Sequence, residues 1–125
     1  MKKLGLGLLT AMMLLAITLT ACFGGSPSVD KVSEALKDNS YMIISTVEAS
    51  DEGAGATLKM NGIKTVVTAT KLTDTVVVRW YDSSSKAKDA YEKATNGVEN
   101  PTTYRSGNMV ATGSSAAIEV IKSVG

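Results

Sequence analysis

The chain of 125 residues contains no histidine, one cysteine (Cys22) and two arginines (Arg79 and Arg105). Without histidine it lacks the commonest general base and the commonest metal ligand. A Ser-His-Asp triad is therefore excluded. A zinc site would have a single sulfur and no imidazole. One cysteine leaves no intramolecular disulfide, so the fold must hold by packing alone. Bulky apolar side chains are also scarce, with one Trp and one Phe. Valines are many, which points to a small, sheet-rich core. Charge is nearly balanced, at 13 basic against 12 acidic residues.

What the chain does have is a distinctive beginning. Lys2 and Lys3 precede an uncharged apolar run from Leu4 to Leu19, followed by Thr20, Ala21 and Cys22. A basic start, an apolar middle and small residues at a cut site make a secretory signal. The run is about 16 residues, short of the roughly 20 that span a bilayer. It contains Gly5 and Gly7, and no basic stop-transfer patch follows it.

The segment Leu19-Thr20-Ala21-Cys22 resembles the lipobox of bacterial lipoproteins. That resemblance implies transfer of diacylglycerol to the Cys22 sulfur, cleavage between Ala21 and Cys22, and often acylation of the new amino group. A thiolate is the nucleophile such a transfer requires, and small neighbours give access to the backbone. Buried acyl chains would hold the mature protein at about 0.8 kcal/mol per CH2. The chain then divides into a signal peptide (1–21), a lipidated cysteine with a flexible Gly/Ser/Pro tether (22–28) and one domain (29–125). Removal of Lys2 and Lys3 leaves eleven basic residues against 12 acidic. That balance argues against nucleic acid as a partner and against a polybasic surface reinforcing the lipid. No other cofactor is implied.

Within the domain, Ser28 is placed to cap a helix running to Asn39, with Val32 and Leu36 on one face. Tyr41–Val47 reads as a strand, with Tyr41, Ile43, Ser45 and Val47 alternating against Met42, Ile44 and Thr46. The segment 54–62 admits two readings: a hairpin turning at Asn61-Gly62, or a short helix closed by Gly62. The helix is preferred because it would provide a crossover. Ile63–Thr70 and Thr75–Tyr81 are the clearest strands, with Val76, Val78 and Trp80 on the core side and Val77, Arg79 and Tyr81 opposite. Serines 83–85 cap a helix to Thr95, a hairpin follows around Ser106-Gly107, and Ser114-Ser115 opens a last helix. The order of strand, turn, strand, serine cap and helix in 64–95 recurs in 102–124. The expected class is α+β: a two-layer sandwich of helices on one face of an antiparallel sheet of four or five strands, with a ferredoxin-like order in view.

Four patterns could carry chemistry. Ser83-Ser84-Ser85-Lys86 matches the Ser-x-x-Lys of penicillin-binding proteins, but the companion motifs are missing, and helix capping accounts for the serines. Gly53-Ala54-Gly55-Ala56-Thr57-Leu58 has leucine where a phosphate cradle needs its third glycine. Glu48, Asp51 and Glu52 lack the alternation of a calcium loop. Arg79, Tyr81 and Arg105 share the side opposite the core. They are the candidate ligand-binding residues, a cationic, aromatic-edged patch for a carboxylate or phosphate if their strands are neighbours. Alternatively, the two arginines cover the sheet with their stems and keep their heads wet. The sequence thus reads as a non-enzymatic, extracytoplasmic, lipid-anchored protein that binds or supports another envelope component. The alternative is a small-molecule or peptide-binding module working through the outer sheet face.

Overall fold

A computed structural model describes residues 26–124. The signal segment and Cys22 lie outside these described residues. The elements are α1 (Val29–Asp38), β1 (Met42–Glu48), α2 (Gly53–Met60), β2 (Ile63–Lys71), β3 (Asp74–Tyr81), α3 (Ser84–Thr95), β4 (Thr103–Ser106), β5 (Met109–Thr112) and α4 (Ser115–Lys122). No helix among the described residues is long and apolar enough to cross a membrane.

Three of the four helices begin on a serine, for the same physical reason. The hydroxyls of Ser28, Ser83 and Ser114 accept the backbone N–H three residues on, at 3.2, 3.2 and 3.1 Å. Each satisfies a donor that the helix leaves unpaired. The exception is α2, whose first position follows Glu52 without a side-chain cap. Its end is better defined. The Asn61 side chain donates to the Thr57 carbonyl at 2.8 Å, and Gly62 takes a φ of +70° that costs glycine little.

The five strands form one sheet in the order β1-β2-β3-β5-β4, every neighbouring pair antiparallel. The α+β class is the expected one, but the ferredoxin-like order is not adopted. That order would separate β1 from β2 and set them parallel. Here they are direct antiparallel partners. Length supplies the reason. The eight residues of α2 span about 12 Å, whereas the seven of β1 extend roughly 23 Å. The helix is too short to return the chain along the strand, so it turns β1 into β2 at the same end of the sheet. Ala49 N–H bonds to Lys64 O at 2.8 Å there, and Ser50 N–H to Gly55 O at 3.1 Å. Gly55 is required at this point, because a Cβ would run into Ser50 Oγ and the Glu48 carbonyl oxygen.

One face of the sheet is dry. Val67, Ala69, Val76, Val78, Met109 and Ala111 are fully buried, with Trp80 nearly so. They pack against Val32 and Leu36 of α1, Tyr41, and Ala117, Ile118 and Ile121 of α4. Complete burial of each valine, leucine, isoleucine or methionine among them stabilises by about 1.5–3 kcal/mol. Not all helices lie on this face. Val110 points opposite to its neighbours Met109 and Ala111, yet it is buried, and so is Ala87 of α3. Neither belongs to the main core cluster, and α3 packs on β3, β4 and β5. The helix α3 therefore covers the far face at this side of the sheet. The topology explains its placement. β3 and β4 run parallel with β5 between them, so α3 is a crossover, and the handedness of crossovers selects one face.

The alternation read along β1 is interrupted. Ile43 lies opposite Ala69 and Ser45 opposite Thr68, leaving Ile44 as an extra residue. This bulge keeps Ile43 against the core while moving Val47 to the far face beside Val66.

Candidate functional site

The strand register places Arg79 opposite Val110, and Val110 opposite Arg105. The two arginines thus occupy one row of one face, as their sequence parity predicts, but their strands are not neighbours. With β5 between them their Cα atoms are roughly 10 Å apart. Both side chains are half-buried, as is Tyr81. Arg105 donates from Nη1 to the Gly107 carbonyl at 2.9 Å. The ion pairs found among the described residues all belong to lysines.

Arg105 belongs instead to a cleft of ≈ 500 Å³ along the outer edge of β4, lined with Tyr91, Glu99, Asn100, Tyr104 and Lys122 among others. Neither Arg79 nor Tyr81 reaches it. Tyr91 comes from α3 and Lys122 from α4, so one helix flanks each side of the edge strand. Lys122 Nζ sits 5.7 Å from the Tyr104 ring centroid, a cation–π contact, and 3.6 Å from Glu119 Oε2. The floor is backbone. Gly113 N–H bonds to Thr102 O at 3.1 Å. By antiparallel alternation, the N–H and C=O groups of Thr103 and Arg105 then point away from β5. Two cations, two phenols and an open strand edge can receive an extended or carboxylate-bearing ligand. Of these residues, sequence reasoning identified only Arg105. Tyr91, Tyr104 and Lys122 converge through topology and share no spacing in the chain.

A second constellation lies where the described chain begins. The tether expected through Ser28 is already docked at Ser26. Pro27 is buried, and the indole N–H of Trp80 donates to its carbonyl at 2.9 Å. Asn108 completes the attachment: its backbone N–H donates to Ser26 Oγ at 3.1 Å, and its side chain both pairs with the Ser26 hydroxyl and donates to Tyr81 O at 2.7 Å. A signal for this existed in the sequence, since a buried tryptophan N–H needs an acceptor.

The remaining motifs have structural employment. Ser83 caps α3, and Lys86 Nζ lies 3.7 Å from Asp82 Oδ2. The glycine-rich segment is α2 itself. Asp51 pairs with Lys59 at 2.7 Å. Among the described residues no group of three or more acidic, histidine or cysteine side chains is placed to hold a metal. No buried side-chain nitrogen or oxygen there lacks a partner. In comparisons with known proteins, no family model, no curated protein and no solved structure matches this chain.

Proposed function

We propose that this chain is a lipid-anchored protein of the bacterial cell envelope, non-enzymatic, that binds or supports another envelope component outside the cytoplasmic membrane. The observation that carries the reading is Leu19-Thr20-Ala21-Cys22 behind Lys2-Lys3 and an uncharged apolar run. The lipid is the diacylglycerol on Cys22, with the bilayer as first partner. Two or more acyl chains hold durably where one holds marginally. Mass spectrometry of the protein purified from its membrane tests this. The expected product begins at Cys22 and carries diacylglycerol, and Cys22→Ser retains its leader and loses the lipid. A bare thiol at Cys22, or an uncut leader on the unmutated chain, overturns it.

The second reading, a small-molecule or peptide-binding module, is favoured by the β4-edge cleft. Arg105 and Lys122 supply charge for a carboxylate, while the free edge of Thr103 and Arg105 supplies backbone bonds. Arg79 and Tyr81, on the other side of β5, take no part in it. Crosslinking in intact cells separates the readings. Loss of a captured partner in the Arg105→Ala, Lys122→Ala double variant, with the fold retained, supports the cleft. An unchanged set of partners removes it.

A further inference from the structure

We propose that the sheet end bearing the Ser26–Asn108 clamp faces the bilayer, with Met60 and the ammonium groups of Lys59, Lys64 and Lys86 at the lipid headgroups. The inference rests on the Cys22 anchor proposed above and adds an orientation to it. Three residues, and so four Cα–Cα steps, separate Cys22 from Ser26, and four extended steps reach at most about 14 Å. Ser26 is not free to wander from the domain. It is bonded to Asn108, Asn108 to Tyr81, and the next carbonyl to Trp80. The clamp therefore fixes which part of the domain lies within reach of the lipid.

That part is the end where β2 begins and β3 finishes. Gly62 O accepts the Asp82 N–H at 2.8 Å, and Asn108 O accepts the Tyr81 N–H at 2.7 Å, so α2, the start of α3 and the β4–β5 turn meet here. Met60, the last residue of α2, is 87 % exposed. Lys86 lies over Gly62, where its side chain would meet an added Cβ. Lys64 lines a groove together with Ser26, Pro27 and Asn108. Lys59 and Lys86 are held only in exposed ion pairs, which contribute about 0–1 kcal/mol and exchange readily for a lipid phosphate. An apolar side chain with flexible cations at the same end of the sheet suits an interface whose headgroups carry phosphate and whose interior is apolar.

The rival contact point is Leu72, 95 % exposed at the tip of the β2–β3 turn. It stands at the opposite end of β2, about 30 Å from the clamp at the rise of an antiparallel strand. A reach of about 14 Å forbids the upright pose in which that tip points at the bilayer and the clamp away from it.

An introduced cysteine would be the single free thiol of the lipidated chain. The lipidated full-length mature protein carrying Met60→Cys or Leu72→Cys, each labelled with a fluorophore, is reconstituted in phosphatidylcholine vesicles containing headgroup spin-labelled phosphatidylcholine. Both positions are exposed, so both variants retain the fold. Flotation with vesicles and several-fold stronger quenching at position 60 than at 72 is the expected result. Flotation with equal or reversed quenching overturns the orientation and leaves the anchor standing. Failure to float overturns the anchor, and the orientation with it. Asn108→Ala, which loosens the clamp, brings the quenching ratio toward one. An unchanged ratio in that variant overturns the clamp as its cause.

Discussion

The two faces of the sheet are built from the same strands but are finished differently. The near face carries Val67, Val76, Val78, Trp80 and Met109 under α1 and α4, and it is dry. The far face carries Val47, Val66, Thr68, Val77 and Arg79, all half-buried, with α3 covering the β4–β5 side. A one-residue alternation separates these sets, so composition differs little between them. What differs is the cover. Two helices with leucine and isoleucine seal one side, whereas an alanine-rich helix, with Ala87 facing inward, lies over part of the other. Stability should therefore reside largely on the near face, and the far face should tolerate change.

The largest effect that would test this contrast is Leu36→Ala. Its side chain is fully buried between α1 and the sheet, and truncation leaves a cavity the surroundings fill only in part. The expected loss is about 3 kcal/mol, read as a lowered midpoint in urea unfolding. A loss below about 1 kcal/mol would mean that the near face is not the main core.

Trp80→Phe is intermediate. It removes the indole N–H from the Pro27 carbonyl, leaving a buried acceptor without its partner. The expected cost is about 1–2 kcal/mol, accompanied by faster proteolysis before Val29. Unchanged proteolysis would show that the segment at Ser26 and Pro27 is not held by this bond.

The smallest effect belongs to Val77→Ala on the far face. The side chain is half-buried, and its loss should lower stability by less than about 1 kcal/mol in the same urea assay. If it equals the cost at Leu36, the two faces are equivalent and the comparison fails.

How much of this was readable beforehand depends on whether the governing force is local. The serine caps were legible, because a hydroxyl bonds within three residues of itself. The parity of Val76, Val78 and Trp80 was legible too, since pleating alternates by rule. The extra residue at Ile44 was not, because a bulge is a property of the pair Ile43/Ala69 and not of either strand. Nor was strand order, which decides that β5 separates Arg79 from Arg105. The candidate cleft was legible only as Arg105. Its other members come from α3, α4 and β4, elements whose meeting is set by the crossover. The docking of Ser26 and Pro27 left no periodic mark, and only the need of a buried indole N–H for an acceptor hinted at it.

The bulge in β1 has a further consequence. β1 is an outermost strand, with Met42 and Ile44 exposed and a single charged side chain, Glu48, at its end. Such a border invites an identical copy to zip alongside it. The surplus residue divides the border into Met42–Ile43 and Ser45–Glu48, two stretches whose bonding directions fall out of step. A visiting strand can stay in phase with one stretch only, never with the whole length. Molecules crowded together thus meet a selvedge that frays before it can seam.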